Sequence, residues 1–158
     1  MIDIGFIGLG TMGRPMAGHL QAAGHRLFLH DVGPIAPELV AEGGVLCKSG
    51  KEVAEKADVV IIMVPDTPHV EAVLFGQDGV AAGLSKGQIV VDMSSISPLA
   101  TKEFAKKVEA LGADYLDAPV SGGEARAFAT MKPVFAGRWS WRRPDHQSRQ
   151  PDYRGVDD

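Results

Sequence analysis

Residues 3–31 read DIGFIGLGTMGRPMAGHLQAAGHRLFLHD, and the order of residue types in that stretch constrains the fold more than any other part of the chain. A short apolar run, 3–7, leads directly into Gly8, Gly10 and Gly13. Met12, Met16 and Leu20 then fall four apart and so share one helix face. A second apolar run, 26–31, ends in Asp31. Two strands joined through a helix lie parallel, so the opening of the chain reads as a β-α-β unit.

The glycines have G-x-G-x-x-G spacing between a strand and a helix. In that setting Gly8 permits the tight turn, Gly10 admits a pyrophosphate against the backbone, and Gly13 lets helix and strand pack closely. The N–H groups opening the helix then point at the phosphates, and the helix dipole favours the negative charge. Asp31 stands 21 residues after Gly10, where a carboxylate accepts hydrogen bonds from an adenosine ribose and repels a 2′-phosphate. Val32 beside it brings no positive charge. The residues therefore point to NAD in preference to NADP. Arg14 reads as a solvated first-turn residue.

The alternation continues to Val120. Strands are expected at 3–7, 26–31, 45–47, 58–64, 89–93 and 114–120, with Ala100, Phe104, Val108 and Leu111 marking another helix face. Thr67 before Pro68 and Ser97 before Pro98 are expected helix N-caps, and Gly24 and Gly112 expected helix stops. The predicted class is α/β, a Rossmann-type doubly wound, mainly parallel sheet with helices on both faces. Ligands of such sheets sit outside the carboxyl ends of the strands. Three segments end there in polar or bend-forming residues: MVPDTP, DMSSISP and DAPVSGG. Pro65 and Asp66 would line the groove, Ser94 and Ser95 would face the nicotinamide end, and Ser121, Gly122 and Gly123 form a turn suited to a small carboxylate.

Composition removes several function classes. A net charge of -4 gives no reason to expect nucleic acid. The apolar run 59–64 is too short to cross a bilayer, and the first residues lack a signal-peptide pattern, so a cytoplasmic protein is expected. Cys47 is the single cysteine and reads as a small apolar residue; His25, His30 and His69 have no ligand spacing, and no metal site is expected.

Taken together, GFIGLGTMGRPMA, DMSSISPLA and DAPVSGGEARA resemble the dinucleotide fingerprint, cofactor-side serine loop and substrate-carboxylate loop of the β-hydroxyacid dehydrogenases. The SSISPLA and SGGE wording resembles the tartronate semialdehyde reductase branch more than the 3-hydroxyisobutyrate dehydrogenase branch. The resemblance implies an NAD(P)-binding Rossmann domain over residues 1–137, followed in the family by an all-helical domain that builds a homo-oligomer. It implies a small hydroxy-acid or semialdehyde substrate. By position, Gly8, Gly10, Met12 and Gly13 would cradle the pyrophosphate, Asp31 would set ribose preference, and Pro65 and Ser95 would border the dinucleotide. Ser121, Gly122 and Gly123 would hold the substrate carboxylate.

The family's general acid is a lysine in a G-x-G-x-x-x-K-x-x-x-N pattern, which the 158 residues do not contain. Lys132 lacks the surrounding glycines and asparagine and is not taken as a substitute, so no catalytic residue is assigned. From Arg138 the resemblance stops. Residues 1–137 carry 8 Lys and 3 Arg, whereas 138–158 carry 5 Arg and no Lys, with Val156 the one aliphatic residue. That segment is expected to be a non-homologous, disordered tail, either a frameshift product or a natural terminus. The chain is then expected to be a truncated dehydrogenase, inactive alone. The alternatives are a 3-hydroxyisobutyrate dehydrogenase-like enzyme and a non-catalytic NAD(H)-binding module.

Overall fold

The computed structural model describes residues 1–120. Six strands form one parallel sheet: β1 (Asp3–Ile7), β2 (Arg26–His30), β3 (Val45–Leu46), β4 (Val59–Ile62), β5 (Ile89–Asp92) and β6 (Asp114–Asp117). Their order is β3-β2-β1-β4-β5-β6, and every neighbouring pair is parallel. The helices are α1 (Gly13–Ala22), α2 (Pro37–Ala41), α3 (Gly50–Lys56), α4 (Thr67–Phe75), α5 (Val80–Gly83) and α6 (Pro98–Ala110). The chain winds outward from β1 through β2 to β3, then returns to β1's other side with β4. That reversal opens a crevice between the carboxyl ends of β1 and β4, the point where doubly wound sheets bind ligands.

Helices cover both faces, which is why VVII of β4 is buried along its whole length. On one face Met16, Ala17 and Leu20 of α1 and Leu39 of α2 pack on Ile4, Phe6, Leu29 and Ile61. On the other, α3, α4 and α6 contribute Val53, Leu74, Phe104 and Val108 against Val60, Ile62 and Val90. The α/β expectation holds for the described residues. Strands expected at 58–64 and 114–120 are shorter, because the chain leaves the ladder at the carboxyl edge and turns into loops. Leu111 stays 45% exposed, since the helix has ended at Ala110.

The helix signals hold in part. Gly24 and Gly112 follow their helices at φ +92° and +84°. Behind α1, Gly24 N–H donates to the Gln21 carbonyl at 2.9 Å and His25 N–H to that of Leu20 at 3.2 Å, closing a Schellman motif. The α4 cap is Asp66 and not Thr67: the Asp66 carboxylate accepts the His69 N–H at 3.4 Å, and Pro68 sits one place further in. Thr67 Oγ1 instead accepts the Ser97 N–H at 3.2 Å, linking the starts of α4 and α6. Ser97 occupies the α6 cap position, but its hydroxyl makes no capping bond. Cys47 is buried as expected. No described helix is long and apolar enough to cross a membrane.

Candidate functional site

The glycine turn lies at the carboxyl end of β1. Gly8 has φ +94°, and a Cβ added there would run into the Met63 carbonyl oxygen at the end of β4. A Cβ on Gly13 would run into the Gly8 carbonyl oxygen. The turn and the close helix approach are thus steric requirements. Gly10 differs, because a Cβ on it would meet nothing within 4 Å. Its exposed backbone faces open space, the condition for close approach by a ligand.

Behind this turn α1 begins with Met12 in the cap position, in helical backbone geometry and with no capping side-chain bond. Arg14 N–H pairs with the Gly10 carbonyl at 3.0 Å. The first turn contains no acid, so nothing of the helix's own competes for the positive end of its dipole. Met12 is half-buried against the core on the α1 face. Arg14 is ion-paired with Glu38 of α2, both exposed.

Asp31 follows β2 directly. Its Oδ2 accepts the Leu9 N–H at 2.7 Å and its Oδ1 accepts the Gly33 N–H at 3.2 Å. The carboxylate therefore fastens the glycine turn from the side. Each oxygen keeps a further lone pair for a hydroxyl donor. Val32 beside it is fully exposed. The residues present fit a dinucleotide: an open glycine at an uncapped helix start, flanked by a carboxylate.

The ends of β4 and β5 supply the opposite wall. Pro65 and Ser95 are exposed. Ser94, expected to offer its hydroxyl to a ligand, is only 1% exposed, and its Oγ accepts the Val64 N–H at 3.0 Å. That bond joins the loop carrying Pro65 to the loop carrying Ser95. The structure thus gathers Gly8, Gly10, Met12, Gly13 and Asp31 around the β1 turn and sets Pro65 and Ser95 on adjoining loops. Ser121, Gly122, Gly123 and Lys132, and the tail 138–158, lie outside the described residues.

One cluster was missed by sequence reasoning. Asp92 is fully buried at the end of β5. Its Oδ2 accepts the Tyr115 hydroxyl at 2.7 Å and its Oδ1 the Ser94 N–H at 3.0 Å. Burial first, then Asp92, pushes the Tyr115 hydroxyl far up, so it remains a protonated donor. Partial desolvation and the Asp92 charge likewise raise the Asp117 carboxyl above its ordinary value. The available signal was an acid closing the apolar run QIVVD, with a tyrosine at the matching place in DYLD.

The family described as the NAD binding domain of 6-phosphogluconate dehydrogenase matches residues 3–138. The 2-hydroxy-3-oxopropionate reductase of Escherichia coli K12 is 56% identical over 136 residues, covering 86% of this chain and 47% of that protein. Among solved structures, the Mycobacterium tuberculosis 3-hydroxyisobutyrate dehydrogenase with L-serine aligns at TM-score 0.74 and 38% identity, covering 82% of this chain and 44% of that one. Psf3 in complex with NADP+ and 2-OPP aligns at TM-score 0.75 and 32% identity, covering 80% and 45%. The chain spans about half the length of the relatives it matches. With the fingerprint, the strand order and the sequence match coinciding over the same residues, the chain belongs to the β-hydroxyacid dehydrogenase family through its NAD-binding domain.

Proposed function

We propose that this chain is the dinucleotide-binding part of a 2-hydroxy-3-oxopropionate reductase-type oxidoreductase, interconverting D-glycerate and 2-hydroxy-3-oxopropanoate with NAD(P)(H). The observation that carries the reading is the Gly8–Gly13 turn with Asp31 bonded to its Leu9 N–H. Identity of 56% to the Escherichia coli reductase supports the choice of branch. Gly8, Gly10, Met12 and Gly13 would hold the pyrophosphate, Asp31 the adenosine ribose, and Pro65 and Ser95 the nicotinamide side. Bound there, the reduced dinucleotide would supply the hydride for carbonyl reduction and the oxidised form would take it back. Ser121, Gly122 and Gly123 would hold the substrate carboxylate.

NAD is preferred over NADP in this reading, because the Asp31 carboxylate would repel a 2′-phosphate and exposed Val32 offers no compensating charge. The similar Psf3 complex contains NADP+, which makes the preference a matter for direct comparison. Calorimetric titration with NADH and NADPH tests it. Tighter NADH binding is expected, with the gap narrowing in Asp31→Ser; equal affinities in the unmodified protein refute the preference.

Carbonyl reduction also needs a proton donor for the developing oxyanion, and the family's lysine pattern does not occur in this sequence. Binding without turnover is therefore expected of the chain in isolation. Reduction of tartronate semialdehyde at the rate of a full-length homologue would contradict that. The setting proposed is cytoplasmic.

A further inference from the structure

Asp92 takes no part in the dinucleotide contacts proposed above, yet it sits at the carboxyl end of β5, between β4 and β6. A wholly buried carboxylate is retained only where its oxygens are satisfied, and here each oxygen has its own donor from a different segment. Tyr115 donates from β6 at 2.7 Å, and the Ser94 N–H donates from the loop after β5 at 3.0 Å. Ser94 extends the chain of bonds, its Oγ taking the Val64 N–H at 3.0 Å in the loop after β4. The Asp92 carbonyl also accepts the Ala118 N–H at 2.9 Å. The loop after β4, the loop after β5 and β6 are thus tied through two side chains, Asp92 and Ser94. Pro65 and Ser95 are the next residues along the two loops.

We infer that Asp92 is a positioning residue for the nicotinamide half of the dinucleotide site, holding the Pro65 and Ser95 loops in register with β6 through Tyr115 and Ser94. The inference rests on the dinucleotide reading and adds to it a division of labour. The glycine turn is braced by Asp31 from the β2 side of β1, the side away from this network, which separates the adenosine half from the nicotinamide half.

Carboxylate chemistry makes the inference testable. Asp92→Asn keeps the shape and can keep both bonds, its oxygen accepting the Ser94 N–H and its amide donating to the Tyr115 hydroxyl, which turns to accept. Asp92→Ala removes both acceptors and leaves the two donors without a partner. The asparagine variant is therefore the conservative rescue of the alanine variant.

The experiment measures NADH and ADP-ribose affinities for the full chain and for Asp92→Ala, Asp92→Asn and Ser94→Ala. ADP-ribose lacks only the nicotinamide. Asp92→Ala is expected to weaken NADH about tenfold, the scale of one buried hydrogen bond, while leaving ADP-ribose within about twofold; Asp92→Asn recovers most of the loss. Ser94→Ala is expected to show the same split, and it supplies the answer if Asp92→Ala does not fold. Parallel loss of both ligands, unchanged NADH binding in folded Asp92→Ala and Ser94→Ala, or Asp92→Asn binding as weakly as Asp92→Ala would overturn the inference. An unmodified chain that binds neither probe would instead refute the dinucleotide reading on which it rests.

Discussion

Three glycines in one turn have different reasons to be glycine, and substitution should separate them. Gly8→Ala puts a Cβ at φ +94° against the Met63 carbonyl. The left-handed backbone alone costs about 1–2 kcal/mol in a non-glycine residue, and the overlap adds to it, so urea unfolding should show a loss above about 2 kcal/mol. Gly10→Ala meets nothing within 4 Å and should change stability by no more than about 0.5 kcal/mol, while weakening NADH. Equal destabilisation by the two changes would show that the turn is not built as described. The spacing of these glycines and the position of Asp31 were legible in the sequence, because each follows from local chain geometry. The bond from Leu9 to Asp31 was not, since which backbone N–H meets the carboxylate depends on how β1 and β2 pair.

At the scale of elements, the parallel sheet and the helices α1, α4 and α6 followed from apolar runs, helical stripes and cap signals, and the strand order and strand ends did not. The ends are set where side chains and caps draw the chain out of the ladder, as Asp66 does at α4 and Asp92 at β5. Thr67 looked like a cap because a hydroxyl before proline suits that position; one residue earlier, Asp66 has the same ability and an extended backbone. The Asp92 network escaped sequence reasoning for a related reason. It joins side chains on neighbouring strands that lie 23 residues apart. Tyr115→Phe strands a buried carboxylate oxygen and should lower stability by about 1–3 kcal/mol in urea unfolding; no change would mean the oxygen is satisfied another way.

Asp117 gives this edge a pH dependence. Partial desolvation and the Asp92 charge raise its pKa in the folded protein, so the folded state holds that proton more tightly than the unfolded chain. Its contribution is favourable below the ordinary carboxylate range and is lost as pH rises through the raised folded value. Asp117→Asn should therefore stabilise the protein at neutral pH and make no difference in acid, read as thermal midpoints across pH. A stabilisation confined to low pH would reverse the assignment.

For the molecule as a whole, the two apolar clusters on either side of the sheet leave the carboxyl edge as the place where backbone and polar groups meet an open crevice. Both faces are tied to that edge: α1 starts there on one side, α4 and α6 on the other. A dinucleotide bridging the edge should stabilise the fold, by about 2.7 kcal/mol at a hundredfold excess over Kd. The relatives carry roughly as much chain again. The most direct test of the central claim is calorimetric titration of the chain and of Gly10→Val with NADH, with thermal unfolding of both proteins. The account predicts heat of binding for the chain, none for Gly10→Val, and coincident unfolding without ligand. Unchanged affinity in a folded Gly10→Val protein would contradict it.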